Sequence, residues 1–129
     1  MINELIANDI TPWVTLWHWD TPSALHNNTS TGGFLSKDIV EKFADYADFA
    51  FGAFGDRVKH WLTLNEPWTV AINGYLAGIH APGRCSNESE KCLKSGGGNN
   101  STEPYIATHN MILSHAKAVQ TYRQKYQVK

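Results

Sequence analysis

Nowhere in these 129 residues does an apolar run approach the ~20 residues that a membrane-spanning helix requires, so a membrane is not an expected partner. Charge of one sign is not in excess either: 11 basic residues stand against 12 acidic ones. Phosphate binding rests on a marked surplus of Lys and Arg, and the lack of one argues against nucleic acid. Cysteine is scarce, with Cys85 and Cys92 alone. The histidines fall into no cluster with metal-ligand spacing, so no metal and no cofactor is expected. Residues 1–9 lack the basic segment and continuous apolar core of a secretory leader. Disorder is excluded by what remains, since 42% of the chain is hydrophobic and 12% aromatic.

Tryptophan is abundant by contrast, with five in the chain, and Trp13, Trp17, Trp19 and Trp68 lie near polar segments. Ile2, Leu5 and Ile6 have the spacing of an amphipathic helix that Asn8-Asp9 stops, so the chain opens at the tail of a helix and reads as a piece of a longer protein. Ile10 to Trp19 is dense in Trp, Val, Thr, Ile and Leu, which predicts a buried strand ending at His18. Asp20 to Gly33 reads as loop. Ser36 is the expected cap of a helix whose face is Ile39, Phe43, Ala47, Ala50 and Phe54 and which Gly55 ends. Val58 to Leu64 predicts a second strand, with a helical turn after Pro67. A polar loop covers Gly78 to Asn100, and Thr102 caps a last helix with Tyr105, His109, Ile112, Ala116 and Val119 on one face.

Strands alternating with helices point to parallel βα units with right-handed crossovers. Two strands cannot close a barrel, so the expected architecture is part of a larger α/β fold. In such folds reactive groups collect at the carboxyl ends of strands. Here those ends are Trp17-His18-Trp19-Asp20 and Thr63-Leu64-Asn65-Glu66-Pro67, which bring an imidazole, an amide and a carboxyl group to one rim beside indoles. Hydrogen-bonding groups next to aromatic faces suit a sugar, which presents hydroxyl edges and an apolar C–H face.

These strings, in this order, resemble β-glucosidases of glycoside hydrolase family 1, from about Ile2 to about Gln127. Thr63-Leu64-Asn65-Glu66-Pro67 is similar to the family's acid/base motif, and Trp17-His18-Trp19-Asp20 with Pro22 to its sugar-binding strand end. Gly74-Tyr75, Gly78 and Ala81-Pro82-Gly83-Arg84 match the loop that follows, and Thr102-Glu103-Pro104-Tyr105 with His109-Asn110 and His115-Ala116 resembles plant members. The resemblance implies a partial (β/α)8 TIM barrel: the third and fourth strands with their helices, plus the end of the preceding helix. Residues 1–129 would then be one incomplete catalytic domain without a second domain.

It also implies Glu66 as general acid/base of a retaining β-glucosidase, with His18, Asn65 and Trp19 lining the sugar subsite and a small β-glucoside as substrate. Glu66 stands where related thioglucosidases carry Gln, which favours O-linked glucosides. The family's nucleophile lies in a Glu-Asn-Gly motif that this sequence lacks, so the chain alone is expected to hydrolyse little. The alternative is a non-catalytic truncated remnant or sugar-binding pseudoenzyme. His109 and His115 are expected to pack or face solvent. Plant members have a small disulfide-closed loop where Cys85 and Cys92 stand; the other reading is two free thiols. Acceptor triplets for N-glycosylation begin at Asn27, Asn28, Asn87, Asn99 and Asn100. With a disulfide they favour the secretory route, whether vacuole, extracellular space or endoplasmic reticulum lumen. No oligomeric state is implied.

Overall fold

A computed structural model describes residues 1–26, 32–86, 92 and 96–127. Asn27, Asn28 and Asn87 lie outside these residues. Helix α1 (Ile2–Ala7) ends at Asn8, and Asp9 turns the chain through a positive φ of 58°. Strand β1 (Trp13–Trp17), the short helix α2 (Ser23–His26) and a 3-10 turn (Gly33–Leu35) come next. Helix α3 (Asp38–Phe54) returns the chain to β2 (His60–Leu64), which pairs parallel to β1 with Trp13 opposite His60 and Trp17 opposite Leu64. A short helix α4 (Pro67–Thr69) runs into a π-type turn (Val70–Gly74), and a long helix α5 (Glu103–Lys125) closes the order.

A parallel pair cannot be joined by a hairpin, so α3 must cross over one face of the sheet, and α5 packs against that helix. The seam is built for close approach: Ala47, Ala107 and Ala118 are fully buried in it, surrounded by Phe43, Phe51 and Met111. Full burial of a side chain such as Phe43 or Phe51 stabilises by roughly 1.5–3 kcal/mol. At the carboxyl end of α5, Lys125 Nζ and Tyr126 Oη donate to the two carboxylate oxygens of Asp48 on α3, at 2.6 and 2.7 Å.

Several sequence expectations shift here. The first strand starts at Trp13 and stops at Trp17, and Trp13 is 65% exposed, stacked on His60 at the opposite end of β1 from His18. Asp20 to Gly33 is not all loop, since it contains α2. The cap position of α3 is Lys37, although Ser36 Oγ does accept the Asp38 N–H at 3.2 Å. Phe51, not Phe54, faces the core, because Trp61, Tyr122 and Tyr126 surround it with ring centroids 5.0, 5.1 and 5.7 Å away.

On α5 the buried stripe is Pro104, Ala107, Asn110, Met111, Ser114 and Ala118, whereas of the expected face Tyr105, His109, Ile112 and Ala116 are exposed and Val119 is half-buried. Tyr105, His109 and Ile112, with Trp68, Ile72 and Leu76, line an open apolar groove. Both outer edges of the two-stranded sheet lack a partner strand among the described residues. Two strands with open edges hold poorly in water. In the 129-residue chain by itself, hydrogen-exchange mass spectrometry should therefore find fast exchange through β1 and β2. Slow exchange across both strands would reveal an independently stable α/β domain.

Candidate active site

The parallel ladder continues one rung past β2, where the Asn65 N–H donates to the Trp17 carbonyl at 2.9 Å. The two strand tips are thereby held side by side, and the residues expected to carry chemistry come together: His18 and Trp19 from one tip, Asn65 and Glu66 from the other. The Trp19 indole N–H donates to the Asn65 carbonyl at 3.1 Å, so Trp17 at the end of β1 and Trp19 just past it grip both polar groups of the Asn65 backbone. Trp19 lies tilted between His18 and His80, with ring centroids 5.5 and 5.4 Å away. His18 and Glu66 are exposed, while Asn65 and Trp19 are half-buried.

Among the described residues, two of the three non-glycine residues with positive φ sit at these tips, Trp19 at 74° and Glu66 at 42°. Each such conformation costs on the order of 1–3 kcal/mol and persists only where its surroundings over-determine it. At Glu66 those surroundings are the Val70 N–H, which donates to the Glu66 carbonyl at 3.1 Å, and the Trp19 indole, which holds the Asn65 carbonyl on the other side. The result presents an imidazole, an amide, a carboxyl group and an indole at one open rim. Trp68, in the first turn beyond Glu66, is 72% exposed.

Behind this rim lies a polar anchor that sequence reasoning did not find. Arg84 makes a bidentate pair with Glu103 at the start of α5, Nε to Oε2 and Nη2 to Oε1, both 2.7 Å, and both side chains are buried. Hydrogen bonding to Glu103 raises the Arg84 pKa further. Beside them the hydroxyl of buried Tyr75, pushed up to about 12 by burial, hydrogen-bonds to the Phe34 backbone. Asn110 Nδ2 donates to the Phe34 carbonyl at 2.8 Å. Half-buried His26 has its pKa lowered, first by desolvation and then by Arg84. Arg84 and Glu103 each belong to a motif quoted above, but nothing local pairs residues nineteen apart.

The loop between Gly78 and α5 is closed by a Cys85–Cys92 disulfide, with Cα atoms 5.3 Å apart. Gly74 lets the loop lie against the π-type turn, because a Cβ there would meet the Ala81 carbonyl at 2.8 Å. Farther along, Asn99 is exposed with its Oδ1 accepting the Ser101 N–H, and Asn100 exchanges hydrogen bonds with Ser86 in both directions. His109 and His115 are both exposed, and His115 Nδ1 lies 2.8 Å from Thr63 Oγ1 on β2.

Consecutive parallel βα units with hydrogen-bonding and aromatic side chains at the strand tips make up part of an α/β fold whose polar residues gather at the carboxyl edge of the sheet. The profile of glycosyl hydrolase family 1 matches residues 1–129, and the chain belongs to that family. It is 56% identical over 128 residues to the isoflavonoid 7-O-β-apiosyl-glucoside β-glycosidase of Dalbergia nigrescens, covering 98% of this chain and 22% of that protein. With β-glucosidase 24 of rice the identity is 55%, covering 98% and 24%.

Among solved structures, a rice β-glucosidase mutant in a covalent complex with Glc superposes with a TM-score of 0.89 at 53% identity, covering 97% of this chain and 25% of that one. The glucose complex of the Humicola insolens family 1 β-glucosidase gives 0.88 at 43% identity, covering 97% and 25%. These neighbours are (β/α)8 barrels, and the chain spans about a quarter of their length.

Removing one partner of a buried ion pair strands the other charge. In a complete barrel carrying this segment, Glu103→Gln should lower the unfolding free energy by about 3 kcal/mol in urea titration, and Arg84→Met with Glu103→Leu should recover most of it. A loss below about 0.5 kcal/mol would mark the pair as solvent-screened.

Proposed function

We propose that this chain is the acid/base quarter of a retaining, plant-type β-glucosidase acting on O-linked glucosides, spanning the third and fourth βα units of the barrel with α1 as the end of the preceding helix. The observation that carries the reading is the juxtaposition of Asn65-Glu66 with His18-Trp19 at two paired strand tips. In this role Glu66 gives its proton to the glycosidic oxygen as the bond to the anomeric carbon breaks, and a carboxylate from another part of the barrel bonds to that carbon. Glu66, now ionised, takes a proton from water, whose oxygen displaces the enzyme carboxylate and releases the sugar with its configuration retained. Asn65 and His18 hold sugar hydroxyls, Asn65 at the 2-position, where contacts strengthen in the transition state.

The nucleophile must lie about 5 Å from Glu66, and the family's Glu-Asn-Gly motif does not occur in this sequence. The second reading is a remnant that retains sugar-binding groups without turnover. We assign the secretory route on the disulfide and on the acceptor sequences at Asn99 and Asn100, both in the loop before α5.

Splicing residues 1–129 into the rice relative in place of its matching segment separates the readings. An active splice that loses about 10²–10⁴-fold on Glu66→Gln for glucosides with poor leaving groups, and far less for nitrophenyl glucosides, supports the acid/base role. Equal losses would reject it, and a folded splice that binds glucose without hydrolysing either class would favour the remnant. In the active splice, Asn65→Ala should lower kcat more than it raises KM. A change confined to KM would contradict a transition-state contact.

A further inference from the structure

We infer that Trp19 is a positioning residue for Glu66, acting through its indole N–H; this rests on the acid/base reading of Glu66. The direction of the Glu66 Cα–Cβ bond, from which the carboxyl group is carried, is set by rotation about the residue's own N–Cα and Cα–C bonds, so it depends on how the peptide groups on either side are held. The following one is held by Val70, whose N–H donates to the Glu66 carbonyl at 3.1 Å. The preceding one is held by Trp19, whose Nε1 donates to the Asn65 carbonyl at 3.1 Å. With both pinned, Glu66 stays at φ 42° and ψ 59°.

A residue before proline relaxes toward extended backbone when nothing restrains it. For Glu66, followed by Pro67, that relaxation would turn Cα–Cβ, and the carboxyl group with it, away from its present direction. Trp19 is fit to prevent it. The indole donates and cannot accept, and the half-buried ring has His18 and His80 as neighbours, with centroids 5.5 and 5.4 Å away. It also walls a small cavity with Trp17, Phe34 and Tyr75. The unusual backbone at Trp19, φ 74°, is what aims this ring across to the second strand tip.

The test removes the N–H and keeps an aromatic ring in its place. In the rice-relative splice, Trp19→Phe should lower kcat/KM for glucosides with poor leaving groups about tenfold more than for nitrophenyl glucosides, because only the former need a well-aimed proton. In the Glu66→Gln background the same change should add no leaving-group-dependent loss. Where Trp19→Phe fails to fold, 3-benzothienylalanine at position 19 keeps the shape of indole, lacks the N–H, and should give the same pattern. Equal losses for both substrate classes, as expected if the ring only contacts sugar or only supports the fold, would overturn the inference. A Glu66→Gln variant with no leaving-group dependence would instead remove the acid/base reading itself, and this inference with it.

Discussion

The parallel pairing of β1 with β2 is the constraint on which the rest of the structure depends. Parallel strands need a long crossover, and the crossover has to be held against the sheet by something other than a turn. Here α3 supplies it, and its alanine-lined seam with α5 sets how the two βα units lie together. Register follows: Trp17 opposite Leu64 leaves the Asn65 N–H facing the Trp17 carbonyl. A shift by one residue would turn Asn65 to the other face and separate Glu66 from the Trp19 indole.

The loop behind the site is organised by polar groups, and that has a cost structure of its own. The Arg84–Glu103 pair gives up hydration on both sides, so its net contribution to stability is small compared with what is lost when one partner goes. What the pair does is specific: it ties the loop after the π-type turn to the first turn of α5. The Arg84 N–H donates to the Gly74 carbonyl at 2.8 Å, which carries the constraint back toward α4 and the Glu66 strand tip. Tyr75 and Asn110 extend it to the Phe34 backbone, whose ring meets Trp17 edge-on at 4.9 Å.

The order of elements and the two strand tips were legible in the sequence because both rest on local signals, namely hydrophobic periodicity and short motifs at strand ends. Face assignments were less so. Phe51 and Phe54 fit one α3 stripe almost equally well, and Trp61 on β2 with Tyr122 and Tyr126, on and just beyond a helix some seventy residues later, decides between them. On α5 apolar residues run around much of the circumference, so periodicity selects no single face; the small residues Ala107, Ser114 and Ala118 win the interior because they admit α3 closely. The ion pair, the Trp19–Asn65 contact and the left-handed backbone at Trp19 and Glu66 arise from tertiary placement, which no local pattern encodes.

A general acid must be both aimed and protonated, and in the role proposed for Glu66 the two requirements have different physical sources. Aim begins with the backbone, which Trp19 and Val70 hold on either side of Glu66. Protonation near neutral pH needs desolvation or a neighbouring negative charge, and Glu66 is exposed here, with the family's nucleophile motif absent from the sequence. In the proposed enzyme, barrel segments outside this chain would cover Glu66 and set a carboxylate opposite it, while the backbone that directs its Cα–Cβ bond is supplied by this one.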